Sequence, residues 1–110
     1  MQKKVLVASV HPPFGELLRL SLEERGGYSV RLVTTCEYAR YEAGKNRYDL
    51  LVIDVDRRDG SAETTLPDLS QRFSRLPLIV FPPDNDPKHP LLKGVRFNAW
   101  LKKPYYLPDL

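Results

Sequence analysis

Short apolar runs alternate along the chain with longer amphipathic stretches, and turn or capping residues mark most of the boundaries. Val5 to Ala8 predicts a first strand over roughly Lys4 to Ser9, broken by His11-Pro12-Pro13. Pro13 suits the first turn of a helix, and Phe14, Leu17, Leu18 and Leu22 recur on one helical face up to Gly26-Gly27. Tyr28 to Val33 reads as a second strand. Thr34-Thr35-Cys36-Glu37 matches a capping box, opening a helix to about Gly44 with a small-residue stripe of Cys36, Ala39 and Ala43. Leu50 to Ile53 is apolar without alternation, as a strand covered on both faces requires. Leu66, Leu69 and Phe73 predict a third helix, with Pro67 confined to its first turn. Leu76 to Phe81 is a fourth strand, and Asn98 to Leu101 a fifth. The segment Pro82 to Pro90 carries four prolines, which leaves room only for a short fourth helix from Leu91 to about Arg96.

Strands alternating with helical segments predict a doubly wound α/β domain with a five-stranded parallel sheet, in the flavodoxin-like order 2-1-3-4-5. At 110 residues and 42% hydrophobic content the chain makes one domain, 1–110. A net charge of +3 from interspersed acids and bases describes a mixed surface rather than one built for a polyanion. Cys36 is the single cysteine, which rules out an intrachain disulfide and, on a small-residue stripe, reads as core filling rather than as a nucleophile. No apolar run approaches the roughly 20 residues of a membrane span, and no secretory signal is visible, so a cytoplasmic location is expected.

Candidate chemistry collects at the carboxyl end of the central strand, where ligands of open α/β sheets bind. Asp54, Asp56 and Asp59-Gly60 stand there, with Arg57-Arg58 placed to neutralise the carboxylates or to accept an anion. His11 and His89 lie beside prolines, with no partner at metal-ligand spacing.

Tyr48 to Asp54, Asp59-Gly60 and Leu101-Lys102-Lys103-Pro104-Tyr105, in that order, resemble the phosphoacceptor strand, loop-closing Asp-Gly and Lys-Pro-aromatic signature of response regulator receiver domains. The resemblance covers the whole chain and implies a phosphoacceptor position at Asp54 and a pocket of Ser9, Asp56, Pro82 and Lys103. It also implies departures. Ala8 and Ser9 stand where the family carries its Mg²⁺-binding acidic pair, and Pro82 where it carries a Thr or Ser. Weak or absent Mg²⁺ binding is expected, with only Asp54 and Asp56 as candidate ligands, and Asp54 is expected to form an ion pair with Lys103.

The implied function is that of a pseudo-receiver, a non-enzymatic domain of two-component (phosphorelay) signalling that acts through contacts with a sensor kinase or output domain. A working phosphoacceptor at Asp54 is one alternative. A nucleic-acid module using the basic end around Lys88, Lys93, Arg96, Lys102 and Lys103 is another. Trp100, Tyr105 and Tyr106 are the expected partner surface, with a homodimer as one outcome. The family's cis peptide is expected at Lys103-Pro104. Leu107 to Leu110 resembles the first turn of a fifth helix that is truncated or absent, so the domain is expected to be the N-terminal part of a longer protein.

Overall fold

The computed structural model describes residues 2–103 and contains a five-stranded sheet in the order β2-β1-β3-β4-β5, with every pairing parallel. The elements run β1 (Lys4–Ala8), α1 (Pro12–Gly26), β2 (Ser29–Val33), α2 (Cys36–Lys45), β3 (Leu50–Asp54), α3 (Ala62–Arg72), β4 (Leu78–Phe81) and β5 (Ala99–Trp100). The unbroken apolar runs of β1 and β3 follow from cover on both sides. Leu6, Ala8, Leu51, Ile53, Leu78 and Val80 face α2 and α3. Val5, Val7, Val52 and Phe81 face α1 through Phe14, Leu18 and Leu22, while Leu17 is half-buried and lies outside that cluster.

Several boundaries differ from expectation for local reasons. The residue capping α2 is Thr35 rather than Thr34: its hydroxyl accepts from the Tyr38 amide at 3.2 Å, so Glu37 falls one place short of a reciprocal box. Helix α3 begins earlier than expected, which puts Pro67 in its second turn. The carbonyl that loses its donor belongs to Glu63, an exposed residue, while Leu66 and Leu69 stay fully buried. The short fourth helix is reduced to a 3₁₀ turn, Pro90–Leu92, which still drives Leu92 into the core, and Gly94 then turns the chain at φ 77°. Strand β5 is two residues long, although the Asn98 and Leu101 amides bond the Leu78 and Val80 carbonyls at 2.8 and 3.0 Å on either side of it.

Candidate functional site

The parallel register brings the ends of β1, β3 and β4, and Lys103 just after β5, to one rim of the sheet. Asp54 is the last residue of β3 and its side chain is 0% exposed. One carboxylate oxygen, Oδ2, accepts from the Ser9 hydroxyl at 2.8 Å. The other, Oδ1, lies 2.6 Å from the Lys103 ammonium, an ion pair, but receives no well-directed hydrogen bond. Lys103 reaches this position across the Phe14 ring, 4.9 Å from its centroid, and Phe14 is itself set edge-on against Phe81 at 5.0 Å. Its backbone is held too, since the Asn85 side chain accepts from the Lys103 amide at 2.9 Å. Asn85 and Asp84 both take the left-handed conformation, at φ 54° and 55°, which these two residue types tolerate better than most. Pro82, buried, closes the rim at the end of β4.

Around this centre the β3–α3 loop forms an ionic collar. Asp56 lies 2.6 Å from His11 Nε2, and it accepts from the Arg58 amide at 2.8 Å and guanidinium at 3.3 Å. Burial alone would raise the Asp56 pKa, but these donors and the His11 charge outweigh it and bring the value down to about 2. Arg57 lies 3.4 Å from Asp84. A cavity of about 300 Å³ is lined by Asp56, Arg57, Arg58, Pro83, Asp84 and Lys103. Asp54, Asp56 and Asp84 are thus matched by Lys103, Arg58 and Arg57, with His11 as a second partner of Asp56.

Asp59 has a different task. It is buried, and its carboxylate accepts from the Cys36 amide at 2.7 Å, the Ser61 amide at 3.0 Å and the Ser61 hydroxyl at 2.6 Å. Ser61 in turn accepts from the Glu37 amide at 3.1 Å. With Thr35 holding Tyr38, the first three amides of α2 are all satisfied, two of them by the loop that follows β3. Cys36 lies beneath this cap. Burial, with the charges of Asp59 and Asp54, pushes its thiol far above the ordinary range, so it carries no thiolate at neutral pH.

The structure therefore brings together Ser9, Asp54 and Lys103, and places Asp56 and Pro82 at their edge. Trp100 is 36% exposed on β5, while Tyr105, Tyr106 and the Lys103-Pro104 peptide lie outside the described residues. Sequence reasoning missed His11 as the partner of Asp56, Asn85 as the anchor of Lys103, and Asp59 as the cap of α2. Only Asn85 left a signal, an Asn behind Pro-Pro-Asp where a left-handed turn suits it.

The residues at this rim do not fit a magnesium ion. Ala8 offers no ligand, the Ser9 hydroxyl and the Lys103 ammonium already occupy the two oxygens of Asp54, and Asp56 is spent on His11 and Arg58. Among the described residues no group of three or more His, Cys, Asp or Glu could hold a metal ion.

No family model matches the sequence, and no curated protein matches it significantly. Solved structures do. The chemotaxis response regulator CheY4 of Vibrio cholerae is 21% identical with a TM-score of 0.79, over 96% of this chain and 89% of that one. The response regulator TrrA of Thermotoga maritima, solved with Mg²⁺ and BeF, is 18% identical with a TM-score of 0.76, over 98% and 92%. The receiver domain of Francisella response regulator 1452 is 26% identical with a TM-score of 0.70, over 94% and 85%. The fold is that of CheY-like receiver domains.

Proposed function

We propose that this chain is a receiver-type signalling domain of a two-component pathway, cytoplasmic and not an enzyme, that works through protein contacts with a sensor kinase or output domain. In this reading Asp54 is an internal structural charge rather than a metal-dependent phosphoacceptor. The observation that carries it is the closed set Ser9–Asp54–Lys103, at 2.8 and 2.6 Å, in the place where a receiver needs an open carboxylate and a cation. Phosphoryl transfer depends on positioning and on neutralising the oxygens of the transferred group. Lys103 is the one cation paired with Asp54 among the described residues, and Pro82 has no hydroxyl to follow a modified Asp54.

Incubation with acetyl phosphate and millimolar Mg²⁺, read by intact mass, tests the proposal. No phosphoryl adduct is expected on the native chain, and millimolar Mg²⁺ should leave its Tm unchanged, because a cation that binds the folded state raises Tm by mass action. The double variant Ala8→Asp/Ser9→Asp should acquire a Mg²⁺-dependent Tm. One observation favours the alternative of a working phosphoacceptor: Asp54 Oδ1 has no well-directed hydrogen bond. A stoichiometric adduct lost in Asp54→Asn would establish that alternative and end the present reading.

A further inference from the structure

Three concavities lie away from Asp54, along α2 and its junction with α3. Three hollows of about 560, 710 and 500 Å³ follow one another there: Glu37 and Tyr41 line the first two in common, and Arg72 and Phe73 the last two. Together they form a groove spanning the ten residues of α2, about 15 Å at 1.5 Å per residue. Tyr38 and Tyr41 stand on its wall one helical turn apart, 60% and 63% exposed, where few other large apolar side chains among the described residues are so open. Its floor includes Ala43, Phe73, Leu76 and Pro77. Gly44 keeps the middle open, since a side chain there would start 3.8 Å from Phe73 and project into the groove.

Charge is unbalanced along the second and third hollows. Arg40, Lys45, Arg47, Arg72 and Arg75 line them, against the acidic Glu37 and Asp49. Arg40 is paired with Asp68 at 3.3 Å, and Asp49 is spent on the Lys4 amide at 2.8 Å. The other four cations make no ion pair among the described residues. Lys45 and Arg72 sit in the last turns of their helices, where a cation complements the helix dipole, but Arg47 and Arg75 lie past those ends, and the dipole does not account for them.

We propose that the α2–α3 groove docks an acidic amphipathic helix of a protein partner. The floor and the two tyrosines take its apolar side chains, and the cations at the helix ends take its carboxylates. A single-stranded nucleic acid fits less well, because it has no side chains to fill an apolar floor. The proposal rests on the reading of the domain as a protein-contact module, but not on the state of Asp54.

Selection of amphipathic peptides of about 12 residues, with polar positions randomised among Glu, Ser and Lys, tests it on the 1–110 chain. Glu should be enriched, and the selected peptides should bind with a Kd that weakens at least about tenfold in Arg72→Glu/Arg75→Glu. Gly44→Leu, which fills the groove without changing charge and favours the helix, should weaken it similarly. Arg25→Glu, a single charge reversal of the same kind at the end of α1, should leave it unchanged. Enrichment of Lys, selection without charge preference, or equal loss in Arg25→Glu would overturn the proposal, as would tighter binding of an oligothymidine of similar length. An acetyl phosphate adduct on Asp54 would defeat the pocket reading and leave this one standing.

Discussion

Asp54 and Lys103 form one ion pair but are not equivalent, because burial is unequal: the carboxylate is 0% exposed and the lysine 30%. Asp54→Asn keeps an acceptor for Ser9 and leaves a lysine that can turn to water, so it should cost only about 1 kcal/mol. Lys103→Met strands a buried carboxylate with a single hydroxyl partner and should cost about 3 kcal/mol. Urea unfolding of the two variants checks the order, and equal losses would mean that Asp54 reaches solvent. Asp56 gives the pH dependence. Its folded pKa, about 2, lies below the ordinary 3.8, so the stability it contributes is present above pH 4 and disappears as pH falls towards 2. The contribution is at most about 2 kcal/mol. Asp56→Asn should therefore be less stable than the native chain at pH 7 and equal to it near pH 2, a convergence that melts at several pH values would reveal. Asp54 and Lys103 were legible as site residues because they end apolar strands in recognisable motifs. His11 was not, because nothing in His-Pro-Pro says that the ring will turn to a carboxylate in a loop 45 residues further on.

At the scale of elements, the β3–α3 loop and the start of α2 are one structure. Asp59 accepts the buried Cys36 amide and both donors of Ser61, so Asp59→Ala leaves the Cys36 amide without an acceptor and Ser61 without its anchor, and should cost about 2 kcal/mol. That corresponds to a fall in Tm of roughly 10 °C for a domain of this size, whereas Asp59→Asn, which keeps one acceptor, should lose less. A scanning calorimeter decides it, and an unchanged Tm in Asp59→Ala would remove Asp59 from the cap. The strands and the first three helices were legible because apolar runs and helical faces are set by neighbours along the chain. The details that slipped depend on neighbours elsewhere. Thr34 and Thr35 are interchangeable as caps until Ser61 takes the Glu37 amide, and Pro67 is tolerated mid-helix where the carbonyl it leaves unbonded belongs to an exposed residue, Glu63. The stretch Leu91 to Arg96 has helical length, but Pro90 and Gly94 at φ 77° allow it a single 3₁₀ turn.

At the scale of the whole molecule, the sheet ends in a weak edge. Strand β5 is two residues long, joins only β4 among the described residues, and leaves Trp100 36% and Leu101 51% exposed. An edge strand offers unpaired backbone groups to another chain, and a half-exposed tryptophan beside it is the kind of side chain that anchors an interface. Of the expected partner surface Trp100, Tyr105 and Tyr106, only Trp100 lies within the described residues, and it stands on this edge; the carboxylates of the acidic pocket, already paired, offer a partner much less. The domain is therefore expected to associate through β5, with a second copy as the simplest occupant, and sedimentation over a wide concentration range should show a reversible rise in mass. Trp100→Ala should weaken that association about tenfold while leaving the melting curve almost unchanged, because more than a third of the indole is already in water. High salt separates this contact from a basic nucleic-acid surface: an apolar edge contact persists, whereas binding to phosphates falls steeply with ionic strength. A strictly monomeric protein at every concentration, or association indifferent to Trp100, would leave β5 as an edge that the fold merely tolerates.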